Sequence, residues 1–330
     1  MPVKVIQLEQ FFNHDLSIER LKRLTPSPKN RIMDIVYPDS KRSSYPKSVL
    51  AKTDFPGAVK NLPVINRGSA SYAIPKEQTG TDFYQPFPVE AVDYVSDAEL
   101  NDLRNLTSEG FNAWLDLKVS RLKDGCVATA GALAVQSLSG EIKYSKQESP
   151  GSFDYYEADF GNTKKYTPPK KWNAEGVDIA DILEDCVAMS DKLDEGGWGD
   201  KVEVFCGAKA FMAAVRAVNK GAGKGIKATI TENKIELPGI TITRGAGKYY
   251  DYKKKEWVKG FGDNDVCAVG LNAPWWFPFC SLDNADAGFQ GLPFWSSVKR
   301  NPNGKGYIIS GESKPFPVPI VEAACWATVL

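Results

Sequence analysis

Side chains that could move protons, hold a metal or attack an electrophile are scarce in this sequence. Its single histidine, His14, lies in a polar stretch, so a Ser-His-Asp or Cys-His relay has only one base to draw on and a histidine-rich metal site is excluded. The ordinary reading of His14 is a surface residue. No CxxC, HExxH or GxSxG occurs, which leaves zinc ribbons, zincins and nucleophile elbows without support. The stretch NKGAGKGIKA at 219–228 resembles a phosphate loop but departs from it twice. Val218 stands where the first glycine belongs, and Gly225 follows Lys224 where a serine or threonine is required. It reads as a glycine-rich loop.

Carboxylates crowd DIADILEDCVAMSDKLDE at 178–195 and could form an acid/base pair. They alternate with Ile179, Ile182, Leu183, Val187, Met189 and Leu193 at helical spacing, so the first reading is an amphipathic helix with an acidic outer face. A carboxylate-using hydrolase built there is the less favoured alternative. The six cysteines, Cys126, Cys186, Cys206, Cys267, Cys280 and Cys325, are scattered through apolar or helical settings and are expected to be free thiols. No catalytic, cofactor-binding or metal site is assigned, and no cofactor is expected.

The 330 residues are 42% hydrophobic and 25% charged, enough for a substantial core and about two domains. The 41 basic and 41 acidic residues cancel, which removes the field that a non-specific DNA binder or membrane-surface protein uses. No apolar run approaches the roughly 20 residues that cross a bilayer, and MPVKVIQLEQFFNHD lacks a signal-peptide layout, so the expected setting is cytosol without membrane.

Along the chain, 1–45 is polar, broken by Pro26, Pro28 and Pro38, with a short helical possibility around SIERLKRL, and reads as an arm. Residues 46–92 are rich in Pro, Gly, Ser and aromatics and suggest an extended hairpin with few residues to make its own core. Ser96 and Glu99 make a capping box, after which Leu100, Leu103, Phe111, Leu115, Val119, Leu122, Cys126 and Leu133 keep mostly one face as far as Gly140. Unbroken, about 43 residues would make a rod of roughly 65 Å, with bending or a break at Gly110, Gly125 or Gly131; two ordinary helices are the alternative. Beyond the acidic helix, Val202–Phe205 reads as a strand and 208–219 as a helix presenting Phe211, Val215 and Val218. IKATITENKIELPGITITR continues as β-structure, and GKYYDYKKKEWVKGF suggests an exposed hairpin. In GYIISGESKPFPVPIVEAACWATVL two strands flank a proline-rich turn. Val321, Ala323, Cys325, Ala327 and Val329 alternate with Glu322 and Thr328, the period-two pattern of a half-buried strand near 318–330.

NLPVINRGSASYAIPKEQTGTDF before the long helix, VEVFCGAKAFMAAVRAV in the strand-helix unit and SGESKPFPVPIVEAACWATVL resemble, in that order and over nearly the whole chain, the lambda-type major capsid protein E family of tailed phages. The resemblance implies an α+β, HK97-like phage capsid fold. Its parts would be an N-terminal arm at 1–45, an extended E-loop at 46–92, a P-domain with a long spine helix at 93–197, an A-domain at 198–299, and strands at 300–330 that return to the P-domain. It implies a structural protein and no enzyme, self-assembling into hexamers and pentamers of an icosahedral head around double-stranded DNA, in the virion after assembly in the host cytoplasm. Asn66, Arg67, Gly68, Tyr72 and Lys76 become candidate subunit-interface residues of the loop, and Val321, Cys325, Trp326 and Val329 structural residues of the terminal strand. Expected partners are further copies, a separately encoded scaffolding protein (only about 45 residues precede the loop), a portal and a decoration protein, without covalent cross-links. An encapsulin-like compartment shell shares the fold and is the runner-up.

Overall fold

All five side chains of the strand Val202–Cys206 are buried, so the sheet that contains it needs cover on both faces. In the computed structural model, which describes residues 21, 24, 30–52, 55, 83–103, 106–221, 226–245, 247–302 and 304–330, this strand is central in a seven-stranded sheet. The order is Lys164–Lys165, Ala324–Thr328, Asp265–Gly270, Val202–Cys206, Ile240–Arg244, Lys234–Leu237 and Thr229–Ile230. Ile240–Arg244 pairs in parallel with the central strand, and Asp265–Gly270 pairs with it antiparallel.

Alternation along each strand sends side chains into two different cores. Val204, Cys206, Val266, Ala268, Cys325 and Ala327 pack against two helices, α4 (Ile179–Asp194) and α5 (Ala208–Gly221). Phe205, Cys267, Val269 and Ala324 face the other way, onto α1 (Arg31–Val36) and the last turns of α3 (Ser108–Ser137). Asp178 caps α4 in a reciprocal box with Asp181, and the helix turns Ile182, Cys186 and Met189 inward as its spacing predicts.

The front of α3 carries Leu115, Val119, Leu122 and Cys126 onto a three-stranded antiparallel sheet of Trp295–Arg300, Tyr307–Ser313 and the edge strand Val89–Val95. Two antiparallel hairpins, Glu141–Ser149 with Ser152–Asp159 and Lys248–Asp251 with Glu256–Lys259, lie near the end of α3.

The expected long helix divides in two. A shorter α2 (Asp97–Leu103), capped by Ser96 Oγ accepting from Glu99 N at 3.2 Å, precedes α3, whose own cap is Thr107 accepting from Gly110 N at 3.2 Å. The break falls before Thr107, and Gly110, Gly125 and Gly131 all lie inside α3. At 1.5 Å per residue the 30 residues of α3 span about 45 Å. Gly140 supplies the stop: its φ is +85°, and a β-carbon there would meet Gly161 O.

The terminal strand also differs from its sequence pattern. It starts at Ala324, and Val321 lies before it in a 3₁₀ turn, Val321–Ala323. Pro315, Pro317 and Pro319 cannot donate to a ladder, so regular pairing begins only beyond them. Its neighbours are Lys164–Lys165 and Asp265–Gly270, so it bridges the 93–197 and 198–299 spans instead of returning to the first alone.

Two helix glycines should respond oppositely to Ala. At Gly125 an added β-carbon has nothing within 4 Å, whereas at Gly131 it would lie 2.5 Å from Asn30 Nδ2 and displace the side chain that caps α1. Gly125→Ala should raise the unfolding free energy by about 1 kcal/mol, and Gly131→Ala should lower it by about 1–3 kcal/mol. Urea titration of the unassembled protein checks both, and shifts of the same sign would refute the packing of α1 on α3.

Candidate functional site

The most reactive-looking residues are built into the cores. Asp185 of the acidic helix is buried and accepts from Tyr166 Oη and Trp172 Nε1, each at 2.8 Å, which fastens the 166–172 segment to α4. The paired-carboxylate reading therefore loses its most buried member to a structural role. All six cysteines are buried and free, and burial pushes the thiols of Cys126, Cys186 and Cys280 up to about 12 and that of Cys325 to about 11. Among the described residues no group of three or more His, Cys, Asp or Glu could hold a metal, and no helix is long and apolar enough to cross a membrane. His14 lies outside the described residues.

What the chain presents instead is a clamp at the root of the 46–92 segment. Leu50–Ala51 pairs antiparallel with Phe83–Tyr84, closing the two ends of that segment on each other. Tyr84 stacks on Phe55 and on Phe160, each at 5.2 Å, the latter two rings lie 6.1 Å apart, Phe160 leans on Phe316 at 5.7 Å, and Tyr84 Oη donates to Asp159 O at 2.5 Å. Leu50, Ile142 and Val318 complete this small core. Sequence reading did not single out Phe160 or Phe316, and the polar neighbours Glu157, Asp159 and Asn162 give no hint of the first. The expected interface residues Asn66, Arg67, Gly68, Tyr72 and Lys76 lie outside the described residues.

Beside the clamp, Phe83, Phe87, Tyr155 and Tyr156 line an open groove of about 210 Å³, with Lys146 Nζ 5.0 Å from the Phe87 ring. Among the described residues the buried Tyr156 hydroxyl has no hydrogen-bond partner. On the edge strand Val89–Val95, Val92 and Tyr94 share a face with Glu90 and are 44% and 64% exposed. The arrangement offers apolar area to another chain.

The terminal-strand residues divide between the two faces of the large sheet. Cys325 and Val329 enter the core under α4 and α5, while Trp326 stacks on Phe261 at 4.9 Å and its Nε1 donates to Leu138 O at 2.7 Å, tying the strand to the end of α3. Nearby in sequence, Glu312 and Lys314 are buried. Asn284 Nδ2 donates to Glu312 at 3.0 Å, and Lys314 Nζ meets Asp283 at 2.8 Å. Burial raises the Glu312 carboxyl above its ordinary value, opposed by the Asn284 bond and aided by the charges of Glu90 and Asp283.

A model of the phage major capsid protein E family matches residues 19–329. No curated protein sequence matches the chain. Among solved structures, a prophage protein of E. coli CFT073, assigned there as a capsid protein, is 14% identical with a TM-score of 0.60 and covers 100% of both chains. A phage-related protein of Bordetella bronchiseptica RB50 is 14% identical, with a TM-score of 0.42 over 74% of this chain and 76% of its own. A structure from Mycobacterium phage Patience is 11% identical, with a TM-score of 0.43 over 99% and 89%. The first of these likenesses shows the fold, a mixed helix and strand architecture of the HK97-like capsid type.

Two measurements test this account. Trp326→Ala should cost about 3–5 kcal/mol of stability, and Trp326→Phe, which keeps the stack and loses the bond to Leu138, about 1 kcal/mol. Equal losses in denaturant titration would contradict the paired roles of that side chain. For Glu312, the raised folded value means that the folded state holds its proton more tightly, so stability is lost as pH rises through that window. Glu312→Gln should match wild type near about pH 4 and be the more stable near about pH 7; a difference that does not vary with pH would refute the burial penalty.

Proposed function

This chain belongs to the phage major capsid protein E family and is a structural capsid protein, and from that premise we propose how it builds its shell. The family match over nearly the whole chain carries the reading. The span 46–92 acts as an E-loop that leaves its clamp and lies across a neighbouring copy, with Asn66, Arg67, Gly68, Tyr72 and Lys76 in the contact. An arm at 1–45, a P-domain at 93–197 and an A-domain at 198–299 complete the division, with the 300–330 strands tying the last two together. A segment that leaves its own core for the next copy makes a head-to-tail contact, and a repeated contact of that kind closes rings of five or six. The exposed Phe83, Phe87, Val92 and Tyr94 supply apolar area for such contacts, and many weak contacts in a lattice add through multivalency.

The shell is a container and carries no catalytic step. Its chain has no net charge, which suits a wall that encloses double-stranded DNA without gripping it. A separately encoded scaffolding protein sets the size, a portal admits the genome and a decoration protein cements the lattice. Assembly takes place in the host cytoplasm and the product is the virion capsid.

Electron microscopy of the chain expressed with its phage assembly partners should show hexamers and pentamers in closed icosahedral heads that contain DNA and run as single subunits on denaturing gels. Persistent monomers under those conditions would sink the proposal. Shells filled with a cargo protein would favour the encapsulin-like alternative, and ladders of covalent multimers would refute the absence of cross-links.

A further inference from the structure

On the hairpin of Lys248–Asp251 and Glu256–Lys259, register sets Lys248 opposite Lys259 and Tyr250 opposite Trp257. Alternate residues share a face of a strand, so these four side chains lie together. Tyr249 and Asp251 turn to the other face, where Gln136 donates to Tyr249 Oη at 2.6 Å and Ser145 Oγ donates to Asp251 at 2.7 Å. The outer face is thus basic and aromatic. Trp257 is 67% exposed, and lysines set directly across two strands repel. Asp263 accepts from Lys259 at 2.6 Å and also feels Lys248 and Lys209, so one carboxylate answers three lysines. Over 248–259 as a whole, five lysines stand against Asp251 and Glu256, a surplus of three in a chain whose net charge is zero.

The chain carries the complement of this face on α4. Glu184 and Asp191 lie two turns apart on its exposed side with Val187, 43% exposed, between them, and Asp194 and Glu195 are exposed just beyond. The seven-stranded sheet stands between the two faces: α4 covers one side of it, while the hairpin rests against α3 on the other. One chain therefore cannot bring them together, but two copies side by side can.

We propose that the outer face of the 248–259 hairpin docks on the outer face of α4 in a neighbouring copy, with Trp257 against Val187 and the lysines against Glu184 and Asp191. The contact joins unlike surfaces, so it propagates from copy to copy and closes as a ring. Charged rims of this kind set register and orientation and are screened by salt. The inference rests on the capsid reading and adds to it the surfaces through which copies meet.

Charge exchange tests it. Lys248→Glu with Lys254→Glu on the hairpin, and separately Glu184→Lys with Asp191→Lys on the helix, should each reduce ring and shell yield at low salt about tenfold or more, and all four together should restore it. Circular dichroism melts establish that each variant folds; Lys254→Glu alone, which changes one exposed turn side chain, serves where a double change does not, with a smaller loss expected. Assembly of the single-face variants at wild-type yield, or failure of the fourfold variant to recover while folded, overturns the proposal. Normal shells combined with lost binding to a short DNA duplex would reassign the hairpin to nucleic acid and overturn it equally. In each of these outcomes wild-type shells form and the capsid reading stands; only the absence of wild-type shells removes both.

Discussion

Val204 and Cys206 enter one core and Phe205 the other, and all three are fully buried. A strand apolar on both faces has no stable solution except between two covering layers, and each side chain so buried contributes about 1.5–3 kcal/mol. The layering follows from that requirement. On one side it recruits α4 and α5, and on the other it recruits α1 and the end of α3. Glu203, in the same strand, is tolerated because Thr243 Oγ1 donates to it at 2.5 Å and Lys234 lies 3.8 Å away. Ala324–Thr328 lies beyond Asp265–Gly270 with Lys164–Lys165 outside it, and Trp326 hydrogen-bonds the end of the long helix.

Much of this was legible in the sequence where a local pattern and a tertiary role agree. The acidic helix and the strand-helix unit at 202–221 are where spacing places them, although Val187, counted in the helix's apolar stripe, is 43% exposed. The division of the long helix was harder to place, because Leu100, Leu103, Phe111 and Leu115 keep an apolar period across it, and the decisive signal is the cap at Thr107. Glycine was the wrong marker of the break. Gly125 lies on an exposed face, where its cost of about 1 kcal/mol does not break the helix, and Gly131 is used for the close approach of Asn30. At 318–330 alternation alone cannot tell a strand from a 3₁₀ turn followed by a strand, and the three prolines decide where pairing begins.

Composition spoke to function only by exclusion, and the positive reading came from the order of motifs. Physical reasons lie behind that asymmetry. A catalytic site concentrates a few residue types in a concave pocket, while an assembly surface is spread over edges and exposed faces whose residues are individually ordinary. Phe83, Val92 and Trp257 gain meaning only once the fold shows them exposed beside an edge strand or on the outside of a hairpin. Phe160 and Phe316 are equally silent as letters, although they anchor the root of the 46–92 segment.

The distribution of the cysteines has a consequence of its own. Cys186, Cys206 and Cys325 lie in the core under α4 and α5, Cys267 in the core against α3, Cys126 beneath the three-stranded sheet and Cys280 beside the aromatic clamp. Since oxidation and alkylation act on the thiolate, burial and raised pKa make all six chemically silent while the packing holds. Each of these four cores therefore carries its own dormant reporter. The sequence in which the thiols awaken on warming is the sequence in which the cores open, a record of ageing written by the molecule without an added label.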